Sequence, residues 1–134
     1  MCGITGIYYS NISPQSQQDI QTTLHAMTDS IVHRGPDSKG IWIDPVYGVG
    51  LGHQRLAIRD LSPTGHQPMI SSCGRYVIVY NGEAYSHHEI AKDLAKCQRY
   101  LKGTSDTEVI LEACAQWGVE ATVKRLIGMF AFAL

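Results

Sequence analysis

Short strand-like runs, rich in β-branched and aromatic residues, constrain this chain more than any other feature. Residues 41–43, 49–51, 56–58 and 76–80 are separated by segments carrying Gly, Pro and Asp, and residues 4–9 form a further run of the same kind. This order predicts antiparallel neighbours in sheets covered by helices, not a βαβ repeat. The helices are marked separately. Ser13-Pro14 supplies a cap and first-turn pair, after which Ile20, Leu24, Met27 and Ile31 recur at helical spacing through a polar background. Ser86-His87-His88-Glu89 and Ser105-Asp106-Thr107-Glu108 both match the S-x-x-E capping box. Apolar residues at helical spacing follow each box, Ile90, Leu94 and Cys97 in one and Val109, Ile110, Ala113 and Trp117 in the other. Residues 126–134 form the longest apolar stretch, about half of the ~20 residues a membrane helix needs, and are predicted to be a buried strand.

With 134 residues, 44% of them hydrophobic and 17% charged, the chain suffices for one domain with a core. No internal repeat or linker divides it. A net charge of −1 without a run of Lys or Arg argues against nucleic acid and membrane surfaces as partners. The cysteines, Cys2, Cys73, Cys97 and Cys114, are widely spaced, form no C-x-x-C pair and follow no secretory leader, which predicts a reducing, cytoplasmic setting. Histidines, adjacent His87 and His88 included, do not combine with Cys or acidic residues at metal-ligand spacing, so no metal site is expected. No phosphate-binding glycine loop is present, so no nucleotide is expected either.

The chemistry begins at Met1-Cys2-Gly3. Removal of Met1 would leave a cysteine whose thiol and free α-amine share one carbon, with ordinary pKa values of ~8.5 and ~8. Such a residue carries a nucleophile and its own base. A papain-like pairing of Cys2 with His53 is conceivable, but the amine makes it unnecessary. Polar clusters at 33–37, 52–55, 80–83 and 103–106 are placed by the pattern at the ends of the elements, where chemistry tends to sit. Arg55 could clamp a small carboxylate or be a surface arginine. Asn81-Gly82 offers an amide donor beside an unhindered N–H, suited to an oxyanion, and equally reads as an Asn-Gly turn. Glu83 and Asp106 are candidates to receive an ammonium, although a first-turn carboxylate at Asp106 also suits the helix dipole.

Taken together, Met1-Cys2-Gly3-Ile4-Thr5-Gly6, His33-Arg34-Gly35-Pro36-Asp37, Gly52-His53-Gln54-Arg55-Leu56-Ala57-Ile58, Asn81-Gly82-Glu83-Ala84-Tyr85, Ser105-Asp106-Thr107-Glu108 and Gly128-Met129-Phe130-Ala131-Phe132-Ala133-Leu134 resemble, in order, the glutamine amidotransferase domain of glutamine-hydrolysing asparagine synthetases. The resemblance implies an α+β fold, the four-layer αββα sandwich of N-terminal nucleophile hydrolases. It also implies that Cys2 attacks the side-chain amide of L-glutamine, that Asn81 and Gly82 form the oxyanion hole, that Arg55 holds the α-carboxylate, and that Glu83 and Asp106 help to hold the α-ammonium. Arg34 is expected to be structural or pocket-shaping. Ammonia would pass to a synthetase domain or subunit and an acceptor such as aspartate; ATP and Mg are implied for that domain only, and no cofactor for residues 1–134. The family carries further strands and the synthetase domain after the segment matching 128–134, so an incomplete sandwich with an open, self-associating C-terminal edge is expected. An inactive fragment and a glutamine-binding sensor are the alternatives.

Overall fold

The computed structural model describes residues 2–10, 13–57 and 62–134. Among these the order is β1 (Gly3–Tyr8), α1 (Pro14–Ser30), β2 (Ser38–Asp44), β3 (Val49–Arg55), β4 (Met69–Ile70), β5 (Val77–Ala84), α2 (His87–Lys96), α3 (Asp106–Trp117), α4 (Val119–Val123) and β6 (Gly128–Ala133). One antiparallel sheet has β3 at its centre, with Gly3 of β1 and Lys39 of β2 both opposite Gln54. The other is centred on β5, which pairs Ile78 with Met69 of β4 and Gly82 with Phe130 of β6. The fold is thus mixed α and β, with two small antiparallel sheets.

Burial explains which helix lies where. Ile20 and Leu24 are fully buried where α1 packs on β1 and β3, and the hydroxyls of Thr5 and Thr28, 2.9 Å apart, join strand to helix. Ile110, Leu111 and Cys114 of α3 cluster with Ile78, Tyr80 and Ala84 of β5. Ile90 and Leu94 of α2 pack against Val109 and Ala113 of α3. Each large aliphatic side chain so buried contributes ~1.5–3 kcal/mol relative to exposure. The two sheets meet at His53 of β3, whose Nε2 lies 3.2 Å from the Tyr80 carbonyl of β5.

Four expectations need correction. The cluster at 52–55 is inside β3 and that at 80–83 inside β5, not at loop ends. As the central strand, β3 keeps its ladder on both edges through Gln54, whose side chain also bonds inward, Nε2 donating to Thr28 O at 3.0 Å. The expected strand at 56–58 is not found at Leu56 and Ala57, which have run past both neighbouring strands; Ile58, like Met1, lies outside the described residues. The capping box at Ser86 is not made. Its hydroxyl donates instead to Arg125 O at 3.1 Å and accepts from Ile127 N at 3.0 Å. Finally, residues 128–133 do form a strand, but Met129 is 71% exposed and, among the described residues, β6 has a strand partner only on its β5 edge. The two-residue β4 and the short α4 carry no periodic signal long enough to be read.

Candidate active site

The ends of β1 and β3, the middle of β5 and the start of α3 surround a cavity of about 160 Å³. It is smaller than the ~300–1,000 Å³ clefts that hold drug-sized ligands. Every predicted site residue lines it: Cys2, Arg55, Asn81, Gly82, Glu83 and Asp106. Arg34 is exposed and does not.

Cys2 immediately precedes β1, and its sulfur is held by the backbone of one residue, Leu56. Leu56 N–H donates to Sγ at 3.4 Å, and the Leu56 carbonyl accepts from the thiol at 3.7 Å. Arg55, the last residue of β3, donates from Nη1 to Ser62 O at 3.0 Å. The thiol and the guanidinium therefore enter the cavity from adjacent points of the first sheet.

The second sheet supplies the opposite wall. β4 starts only at Met69, after Pro68, which has no N–H, so the β4 edge of β5 is open from Tyr80 onward. Side chains replace the missing strand there. Tyr80 N–H donates to Gln67 Oε1 at 2.6 Å and Ala84 N–H to Asp106 Oδ2 at 3.0 Å. Alternate residues of a strand direct their amides to the same edge, so Gly82 N–H is aimed between these two, at the cavity. Gly82 is tied to this position from behind: its φ is +156°, and a Cβ would come within 2.5 Å of Phe130 Cα. Asn81, beside it, makes no side-chain hydrogen bond among the described residues.

Gln67 was not anticipated from the sequence. It is 5% exposed, lines the cavity, and reaches Thr107 Oγ1 of α3 from Nε2 at 3.2 Å, tying β5 to the helix. A lone Gln before a Pro has no periodic or motif signal. Asp106 proves to be a brace as well as a cavity residue. It accepts from Ala84 N–H, from Tyr80 OH at 3.3 Å and from Thr107 N–H at 3.0 Å. Ser105 caps the same helix, accepting from Glu108 N–H at 3.3 Å, while Glu108 takes the amides of Lys102 and Gly103 rather than reaching back to Ser105. His53 is no partner of Cys2. It is buried against Tyr80 O, and burial pushes its pKa from 6.5 down to about 4. Among the described residues no His, Cys, Asp and Glu cluster could hold a metal ion.

The cavity thus has a thiol and a cation on one wall, facing backbone and side-chain donors and carboxylates on the other. The chain belongs to the glutamine amidotransferase domain family, whose model matches residues 1–134. It is 40% identical over 136 residues to glutamine-hydrolysing asparagine synthetase 3 of Bacillus subtilis and 39% identical over 133 residues to synthetase 1 of the same organism. It is also 36% identical over 140 residues to the amidase chry2 of Gibberella zeae. These matches cover 98–100% of this chain but only 20–21% of each relative, so the chain spans about a fifth of their length.

Proposed function

We propose that this chain hydrolyses the side-chain amide of L-glutamine and releases ammonia for a synthetase domain or subunit and an acceptor such as aspartate. The observation that carries the reading is the single cavity in which Cys2, Arg55, Asn81, Gly82, Glu83 and Asp106 converge. Arg55 takes the α-carboxylate, and Glu83 with the remaining acceptor capacity of Asp106 takes the α-ammonium, which leaves the side-chain amide to reach Cys2. With Met1 removed, the α-amine of Cys2 accepts the thiol proton as sulfur attacks the amide carbon, and returns it to the departing nitrogen. The carbon–nitrogen bond breaks, ammonia leaves, and water cleaves the thioester to give glutamate and the free thiol. Asn81 and the Gly82 N–H meet the negative charge that builds on the carbonyl oxygen.

The contacts between α1 and the first sheet, between the sheets at His53, and between α3 and the second sheet support the four-layer αββα arrangement of N-terminal nucleophile hydrolases. No step above calls on a cofactor. The test is glutamine hydrolysis by a chain verified by mass to begin at Cys2. Cys2→Ala should abolish turnover while leaving the melting curve within a few degrees, whereas activity within about tenfold of the parent would remove Cys2 as the nucleophile. Glutamine that binds the parent chain without being hydrolysed would leave a binding module instead.

A further inference from the structure

The segment between the helical turn Val32–Arg34 and β2 does not line the cavity, yet it holds two residues that do. Asp37 extends the β2–β3 ladder by one step, its N–H donating to the Arg55 carbonyl at 3.0 Å. Its side chain then takes the next amide on that edge: Ala57 N–H donates to Asp37 Oδ2 at 2.7 Å. Leu56, between the two gripped residues, points the opposite way, as alternation along an extended chain requires. That direction brings its N–H and carbonyl onto the Cys2 sulfur. Gly35 seats the segment. A Cβ there would lie 2.5 Å from Gln54 O and would collide with the Arg55 carbonyl carbon, so no larger residue permits this approach. Among the described residues no strand holds residues 56 and 57 beyond Arg55, and the Asp37 carboxylate is the hold that replaces the ladder.

We propose that Asp37 is a positioning residue for the nucleophile: by gripping Arg55 O and Ala57 N it fixes the two peptide groups that flank Leu56, and their Leu56 N–H and carbonyl in turn fix the Cys2 sulfur toward the cavity. The proposal deepens the glutaminase reading and rests on it. The Asp37–Ala57 bond is charge-assisted, the stronger kind of hydrogen bond. Without it the peptide joining 56 and 57 can rotate, carrying the Leu56 carbonyl off the Cys2 thiol. Attack on a molecule already seated in the cavity then slows, because the sulfur is no longer kept within reach of the reacting carbon. Attack on a small reagent that does not use the cavity is not slowed, since it needs no such alignment.

The experiment compares Asp37→Ala and Asp37→Asn with the parent chain beginning at Cys2, using two electrophiles: a diazoketone analogue of glutamine and iodoacetamide. Labelling of Cys2 is followed by peptide mass spectrometry, and folding by thermal melts. For folded Asp37→Ala the maximal labelling rate by the bound analogue should fall about tenfold or more at little change in half-saturation, with iodoacetamide labelling within about twofold of the parent. Asp37→Asn keeps an acceptor oxygen for Ala57 N–H and should stay within about threefold of the parent for the analogue. A folded Asp37→Ala chain labelled by the analogue at the parent rate overturns the proposal, as does a loss that is equal for both electrophiles. Should Asp37→Ala not fold, a tenfold loss in folded Asp37→Asn overturns it and retention supports it. A parent chain whose Cys2 the analogue fails to label removes the glutaminase reading, and the proposal with it.

Discussion

At the scale of single residues, the cavity separates groups that hold a ligand from groups that meet charge only as a bond breaks. Asn81 has an amide with no partner among the described residues, beside the outward-facing Gly82 N–H. Asn81→Ala is expected to lower kcat for glutamine by about 10²–10³-fold with KM nearly unchanged, because an oxyanion donor acts in the transition state. Arg55 is different. Hydrogen bonds to charged groups contribute ~1.5–3 kcal/mol, so Arg55→Ala should raise KM about tenfold or more with a smaller effect on kcat. Steady-state kinetics on both variants checks the split, and equal KM values for Arg55→Ala and the parent would refute the carboxylate clamp. All six residues were picked out in the sequence and line one cavity; Arg55, Asn81, Gly82 and Asp106 each had an ordinary reading alone, and it was the run of motifs in order that set them apart. Gln67 and Asp37 were not assigned their structural work, because their work is to hold backbone groups, and a backbone partner leaves no trace in residue order.

At the scale of elements, two serines that look alike in sequence do opposite things. Ser105 is a true helix cap, whereas Ser86 ties the start of α2 to the segment before β6 through Arg125 and Ile127. Ser105→Ala should cost about 1 kcal/mol and Ser105→Gly only a few tenths. Ser86→Ala and Ser86→Gly should cost about the same as one another, roughly 1–3 kcal/mol, since either leaves the Ile127 amide without its acceptor. Urea midpoints for the four variants distinguish the cases; a Ser86→Gly chain as stable as the parent would mean that the tie contributes nothing. The capping-box pattern records only local spacing, so it identified both helices and could not tell which serine had been taken by a distant segment. The same limit applies to the strands. β-branched and aromatic runs located β1, β2 and the first parts of β3 and β5, and the apolar stretch at 126–134 located β6, but the polar stretches of β3 and β5 were read as loops because their partners are across a sheet.

For the molecule as a whole, the joint between the sheets is set by a neutral histidine. His53 is completely buried, and burial, with help from nearby His66 and Arg55, lowers its pKa to about 4 from 6.5. The unfolded chain therefore takes up a proton below about pH 6.5 that the folded chain refuses until about pH 4. Unfolding thus gains a proton in this window, and stability, full above it, declines as pH falls through it. At ~1.36 kcal/mol per pH unit of difference, the loss reaches about 3 kcal/mol. Denaturant melts from neutral to acid pH should show this decline, and His53→Gln should be less stable at neutral pH with one proton less of pH dependence. An unchanged slope in His53→Gln would assign the acid sensitivity elsewhere. The same joint has a mechanical side. The sulfur and the guanidinium belong to one hydrogen-bonded sheet and the amide donors to the other, so the distance across the cavity is a reading of how the two sheets are offset. A molecule gripped on both walls becomes a splice between two otherwise separate networks, and a full site makes them unfold as one unit.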